Sequence, residues 1–239
     1  MSPVYSSGVV ADIIDLRLQL DDPYWSSDDI IFKVSELCDR AEDSAVPRPV
    51  VLELAGPDPD AQAVTGWTKD VSVTLVNKWE RVVRRLEWLG VPTIALVSGE
   101  CSGQSLDLLL ATDYRIGAPD VRLGVARSEG MLWPGMALHR LVQQFGMATA
   151  RRMALFGRRL TAREALELGL LDEVTEDTAA AAAVVVGQAG ELAGTELAVR
   201  RRLLLEAVVS SYEEALGGHL SAVDRTLRKG RADDCEEPR

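Results

Sequence analysis

The sequence predicts an α/β protein with a helical C-terminal region. Three observations carry that prediction. Strand patterns recur at Asp12–Leu20, Val50–Leu54 and Thr93–Val97. Stretches with helical periodicity separate them. From Asp177 onward the chain reads as helix. At 239 residues with 47% hydrophobic content, one domain with a short appendage and a substantial core is expected.

The elements follow from residue patterns. Asp12 to Leu20 alternates, with Ile14, Leu16, Leu18 and Leu20 on one face and Asp15, Arg17 and Gln19 on the other, as in a half-buried strand. Asp21-Asp22-Pro23 stops it. Ser27 or Asp28 can cap a helix whose apolar face is Ile31, Val34, Leu37 or Cys38, and Ala41. Gly56 to Thr68 is rich in Pro, Asp and Gly and reads as a loop. Asp70 to Leu89 is helical, with Val76, Trp79, Val83 and Leu86 inside; Lys78, Glu80, Arg81, Arg84, Arg85 and Glu87 lie outside that stripe as a solvated face. Gly90 closes this helix.

Further on, short strands are expected around Tyr114–Ile116 and Val121–Gly124, and Arg127–Gly130 is a loop. A helix starts at Pro134 and stops at Gly146. Another covers Ala148–Phe156. Thr161-Ala162-Arg163-Glu164 is a capping box, and Leu170–Val174 is the last strand. Two helices follow the Ala-rich run 179–183, at Thr195–Tyr212 and Glu213–Arg228. Arg200, Arg201 and Arg202 point different ways around the first of them. The boundaries expected are a core over 1–175, a helical region over 176–229 and a mobile tail over 230–239.

Composition excludes several classes. A formal charge of −11 argues against a nucleic-acid surface. No apolar run approaches a membrane span, and no signal-peptide pattern opens the chain, so a cytoplasmic protein is expected. Cys38, Cys101 and Cys235 suggest neither a disulfide framework nor a metal site. His139 and His219 have no companions at catalytic spacing. The Gly-x-Ser-x-Gly of one hydrolase class and the nucleotide-binding Gly-rich loops are absent.

The stretch Val91–Arg115 organises the rest. The strand Thr93–Val97 turns at Ser98-Gly99, passes Cys101-Ser102-Gly103-Gln104-Ser105 and enters the helix Leu106–Ala111 before Asp113. Such a strand, turn and helix start leaves backbone N–H groups free to meet an anion or a polarised carbonyl oxygen. With Leu123-Gly124, Trp133-Pro134-Gly135, the run 157–165 and Leu168–Val174, this stretch resembles the crotonase superfamily of enoyl-CoA hydratases and isomerases. That resemblance implies a spiral of repeated strand-strand-helix units whose C-terminal helices pack trimers, or pairs of trimers as a hexamer. Asn77–Arg81, Ala111–Ile116 and Trp133–Leu138 are similar to the small crotonases that accompany a type III polyketide synthase making 3,5-dihydroxyphenylacetyl-CoA.

The resemblance also implies a site. Two backbone N–H groups would hold the thioester oxygen as it becomes enolate-like, and losing one such donor costs roughly 3–4 kcal/mol of transition-state stabilisation. Thr65-Gly66-Trp67 is the nearest match to the first donor loop, which makes Trp67 a donor; the other reading is a surface loop with a packed Trp. The family's three-Gly turn is Gly103-Gln104-Ser105 here, so Gln104 is the second donor. The first acid/base glutamate position is Asp107, which can equally be an Asp favoured by a helix dipole. The second falls near Arg127 or Ser128, with Glu129 the nearest carboxylate and a solvated loop acid the alternative. Gly66, Gly103 and Trp133 would line the substrate site. Glu100 could reach the same pocket, although a surface acid is the plainer reading, and Cys101 reads as a buried small residue.

The resulting expectation is an enzyme acting on an acyl-CoA, with coenzyme A entering as part of the substrate and no separate cofactor. The reaction would be dehydration or enol shifts that aromatise a polyketidyl-CoA. Two alternatives stand beside it. One is a non-catalytic accessory subunit of the synthase; the other is a general acyl-CoA hydratase, isomerase or thioesterase.

Overall fold

The computed structural model describes residues 14–19, 27–56, 72–128, 131–132, 135–189 and 195–236. Its centre is a five-stranded sheet, paired in the order β1 (Ile14–Gln19), β2 (Val50–Ala55), β3 (Thr93–Ser98), β5 (Tyr114–Gly117) and β10 (Glu173–Val174). Every neighbouring pair in it is parallel. Parallel strands need crossovers, and helices supply three of them. α1 (Ser27–Glu42) joins β1 to β2, α2 (Val73–Glu87) lies between β2 and β3, and α3 (Gln104–Leu110) lies between β3 and β5. The expected α/β architecture with a helical C-terminal region is what forms.

A smaller sheet stands beside the end of the main one. It pairs β4 (Glu100–Cys101) with β6 (Arg122–Leu123), and β6 with β9 (Leu160–Thr161). The chain passes from β3 to β4 through Gly99, whose φ of 67° is a left-handed value that suits glycine. Gly56, just past β2, faces β4 so closely that an added Cβ would sit 1.9 Å from the Glu100 carbonyl oxygen. Only a glycine lets these backbones approach.

The core lies between the main sheet and helices α1 to α3. Ile30, Val34, Leu37, Leu52, Leu54, Val83, Leu86 and the α3 leucines Leu106, Leu108, Leu109 and Leu110 are at most 1% exposed. Burying each such side chain contributes about 1.5–3 kcal/mol. Ile30, rather than Ile31, heads the inner stripe of α1; Ile31 is only half-buried. On the opposite face of the sheet, Val51, Ile94, Leu96 and Ile116 meet α6 (Thr178–Ala189) through Ala179, Ala182 and Val186. The Ala-rich run therefore packs close to the strands.

Several expectations are corrected. α2 ends at Glu87 with Trp88 as its C-cap, and Gly90 is not among the positive-φ glycines, so it makes no left-handed cap. The segment read as a loop at Arg127–Gly130 contains β7 (Arg127–Ser128), which pairs antiparallel with β8 (Met131–Leu132). α4 (Ala137–Ala154) spans both helices expected there; Gly146, at φ 79° and ψ 163°, breaks its geometry at the anticipated point. The last strand shrinks to Glu173–Val174, because Leu170 and Leu171 bond back to Ala165 at the end of α5 (Ala162–Glu167).

The capping box forms as read. Glu164 N–H donates to Thr161 Oγ1 at 3.2 Å, and Thr161 N–H donates to Glu164 Oε2 at 2.9 Å. α7 (Thr195–Ala207) and α8 (Tyr212–Glu236) complete the chain. α8 runs past Lys229, so much of the stretch expected as a tail continues the helix. The three arginines of α7 do diverge: Arg200 bonds Glu196, Arg202 bonds Glu206, and Arg201 turns inward to Asp113.

Candidate active site

The second expected donor sits at a sharp turn. Gly103 precedes α3 with φ 59° and ψ −126°, a conformation open to glycine and strained for other residues. It is the one glycine of the expected trio that this chain retains, and the backbone demands it there. Gln104 opens α3, and its N–H has no acceptor among the described residues. The Asp107 N–H closes the first helical turn onto the Gly103 carbonyl at 3.0 Å. Ser105 Oγ donates to the Ser102 carbonyl at 2.7 Å and steadies the turn.

Asp107 is only 3% exposed. Its carboxylate points into a seam where α3 meets α2 and α4. Trp79 Nε1 of α2 donates to Oδ2 at 3.0 Å. Among the described residues, Oδ1 has no hydrogen-bond partner, and an Arg140 guanidinium nitrogen stands 3.5 Å from it. Arg140 in turn donates from Nε to Glu87 at 2.6 Å and from a terminal nitrogen to Glu80 at 3.2 Å. Arg84 reaches the other oxygen of Glu87 at 3.0 Å.

Two features of this cluster follow from elementary electrostatics. Arg140 faces three carboxylates, so the group favours holding a proton on one of them. Burial pushes the Asp107 carboxyl up to about 6; the Trp79 hydrogen bond and Arg140 hold it down, while Glu80 and Glu87 add to the rise. A carboxyl tuned to that range can give or take a proton near neutral pH.

Glu80 and Glu87 are expected on a solvated face. Glu87 is 8% exposed and the Glu80 side chain 19%, because α4 covers that flank of α2. Neither they, Trp79 nor Arg140 stood out as site residues in the sequence. The signal was present: Glu80 and Glu87 are seven apart, two turns along one helix face, beside the buried Trp79 and Val83.

The other expected site residues divide in two. Trp67, Gly66, Glu129 and Trp133 lie outside the described residues. Glu100 is described and does not join Asp107. Its side chain is 10% exposed and pairs with Arg159 just before β9. Burial raises its carboxyl above the ordinary carboxylate value, with Arg159 opposing. The plain reading of a surface acid is thereby replaced by a half-sequestered ion pair.

Cys101 is fully buried, and burial pushes its thiol up to about 12, which leaves it un-ionised. His139 and His219 are exposed on α4 and α8. Among the described residues, no three His, Cys, Asp or Glu side chains are gathered as metal ligands. No helix among them is long and apolar enough to cross a membrane.

Comparison with known proteins agrees with this framework. The sequence profile described as enoyl-CoA hydratase/isomerase matches residues 60–229. A protein of Amycolatopsis orientalis named enoyl-CoA-hydratase is 47% identical over 215 residues, covering 90% of this chain and 97% of its own. Among solved structures, DspI of Pseudomonas aeruginosa superposes with a TM-score of 0.74 at 18% identity, covering 90% of this chain and 86% of that one. The enoyl-CoA hydratase of Bacillus anthracis gives a TM-score of 0.70 at 20% identity, covering 90% and 88% respectively. The structural likenesses establish the fold; the profile match and the 47% identity go further, and the chain belongs to the enoyl-CoA hydratase/isomerase family.

Proposed function

We propose that this protein is an enoyl-CoA hydratase/isomerase-type enzyme that works on a CoA thioester with Asp107 as its proton-transfer group. The observation that carries this reading is a buried carboxyl, raised to about 6, three residues beyond the Gln104 N–H at the start of α3. In the reaction, the N–H groups of Trp67 and Gln104 hold the thioester oxygen as charge develops on it. Asp107 takes the proton from the carbon next to the carbonyl. When a hydroxyl leaves from the adjacent carbon, Asp107 returns that proton to it and water departs, so one C–H and one C–O bond break and a C=C bond forms. Glu129 is the second carboxylate for enzymes of this type that divide the two proton transfers. Gly66, Gly103 and Trp133 are assigned to the walls of the substrate site.

The finer reading is that the substrate is a cyclised polyketidyl-CoA, dehydrated toward 3,5-dihydroxyphenylacetyl-CoA after a type III polyketide synthase. Its support is the similarity at Asn77–Arg81, Ala111–Ile116 and Trp133–Leu138. Self-association in threes, or in pairs of threes, is part of the same reading. The exposed apolar side chains Leu204 on α7 and Leu220, Val223 and Leu227 on α8 support it.

A second reading has one observation in its favour. Asp107 is bound into an ion cluster that ties α2, α3 and α4 together, a role that a purely fold-building carboxylate would also fill. On that reading the protein is an accessory subunit of the synthase.

The test is product formation by the synthase with and without this protein, alongside Asp107→Asn. Enhancement that the variant abolishes supports the enzyme. Enhancement that the variant keeps removes Asp107 from the chemistry and favours the accessory role. Absence of enhancement removes the polyketide substrate, and hydration of a simple enoyl-CoA by the isolated protein then decides the broader reading.

A further inference from the structure

The two oxygens of Asp107 are not equivalent. Oδ2 is fixed by Trp79 Nε1 at 3.0 Å, while Oδ1 is buried without a hydrogen bond among the described residues, 3.5 Å from Arg140. A buried oxygen left unbonded is costly and calls for a partner. Arg140 cannot simply move in to supply it. Glu87 holds its Nε at 2.6 Å, and Glu80 holds the same terminal nitrogen that faces Oδ1 at 3.2 Å. Glu80 is itself braced, because the Met136 N–H at the start of α4 donates to its other oxygen at 3.4 Å.

We propose that Trp79 and Arg140 are positioning residues for the Asp107 carboxyl, fixing Oδ2 and leaving Oδ1 as the oxygen that exchanges the proton. The inference rests on the reading of Asp107 as the proton-transfer group. Trp79 sets the plane of the carboxyl from α2. Arg140 stands guard over Oδ1 from α4 and stabilises the carboxylate that remains after the proton leaves. Glu80 and Glu87 keep the arginine from closing on Asp107 as a bidentate pair, which would use up both oxygens. Among the described residues, the charged and titratable groups facing Asp107 are then Glu80 and Glu87 on α2, Arg140 on α4 and the neutral Cys101 thiol of β4, with Arg84 behind Glu87.

This arrangement makes a prediction of opposite signs. Trp79→Phe keeps the ring and removes the donor that favours the charged form, so Asp107 should hold its proton to higher pH. Glu80→Gln keeps an acceptor for Arg140 and removes a neighbouring negative charge, so Asp107 should lose its proton at lower pH. The readout is infrared difference titration of the protonated carboxyl band, identified as the band that Asp107→Asn deletes. The midpoint is expected to rise by about one unit in Trp79→Phe and to fall by about half a unit in Glu80→Gln.

Loosened packing would not move the two midpoints in opposite directions. Unchanged midpoints, or shifts of the same sign, overturn the proposal. If Trp79→Phe does not fold, the Glu80→Gln midpoint, with Glu80 at the half-buried rim, decides alone. Turnover of an enoyl-CoA on the same wild-type sample separates this inference from the function it rests on. Turnover with unshifted midpoints removes the positioning role. Opposite shifts without turnover retain the geometry and remove the enzymatic reading.

Discussion

Trp79 Nε1 donates to Asp107 Oδ2 at 3.0 Å and joins the middle of α2 to the first turn of α3. The bond explains why a tryptophan occupies a position that a plain apolar residue could fill. It also makes Asp107 part of the core as well as of the proposed site, and the two roles have different consequences for stability.

The first prediction concerns those consequences. Asp107 is raised from 3.8 to about 6, chiefly by burial. A carboxyl whose folded value lies above its unfolded value favours folding while it stays protonated. That contribution is complete below pH 3.8 and is lost as pH rises through about 6. At pH 8 the buried charge therefore costs stability, on the order of 2–3 kcal/mol for a shift of this size. Asp107→Asn should melt higher than the wild type at pH 8, and the gap should close toward pH 4. Turnover of a CoA thioester should fall by about a hundredfold or more in the same variant. Calorimetry at both pH values and a steady-state assay check the two halves separately.

A second prediction concerns the attachment of the C-terminal helices. Arg201 of α7 donates from Nε to Asp113 at 2.9 Å and from a terminal nitrogen to the Val91 carbonyl at 3.0 Å. Asp113 also accepts from the Thr93 N–H and hydroxyl at 2.8 and 2.9 Å. One aspartate thus links the start of β3, the end of α3 and α7. Arg201→Ala leaves Asp113 its Thr93 donors and its 38% side-chain exposure, so the loss should be about 2 kcal/mol rather than the larger cost of a stranded buried charge. Urea unfolding should show it. Limited proteolysis should cut between α6 and α7 sooner than in the wild type.

How much of this was legible in the sequence depends on the range of the interaction. The Thr161–Glu164 box joins residues three positions apart, and it forms as read. The strand periods at Val50–Leu54 and Thr93–Val97 gave the two central strands almost to the residue, because both faces of a parallel sheet are covered and select apolar runs. The Arg140 cluster was not legible. Glu87 and Arg140 lie 53 positions apart, and only the crossing of α4 over α2 turns a charged flank into a buried one. Arg127–Gly130 was missed for a different reason: two-residue strands such as β7 and β8 carry too little pattern to rise above a loop.

A third prediction follows from the approach of β4 to the end of β2. Gly56→Ala would place a methyl group 1.9 Å from the Glu100 carbonyl oxygen and under 3 Å from two more Glu100 backbone atoms. Backbone on both sides leaves no flexible side chain to yield. The Gly56 N–H bond to Ser98 at 3.0 Å would have to stretch as well. A loss of about 3 kcal/mol is expected, at the upper end of overpacking costs. A control at Gly90, where an added Cβ meets nothing within 4 Å among the described residues, should stay within about 0.5 kcal/mol of the wild type. Equal behaviour of the two variants in thermal melts would contradict the close approach.

The last prediction uses the capping box as a pH probe remote from Asp107. Glu164 is lowered to about 2, first by the Thr161 backbone N–H, then by Arg158 and the Thr161 hydroxyl. A carboxylate with a depressed folded value contributes stability above its unfolded value, 4.5, and loses it as pH falls toward 2. Thr161→Ala removes the cap and one donor to Glu164, at a cost of about 1 kcal/mol near neutral pH. The variant should therefore lose less stability than the wild type on acidification from pH 4.5 to 2.5. This slope is opposite in sign to the one assigned to Asp107, so the double variant Thr161→Ala/Asp107→Asn should show the two effects adding within a few tenths of a kcal/mol, as expected for sites that share no partner. Strong non-additivity in acid unfolding curves would mean that α5 and the Asp107 cluster communicate through the core.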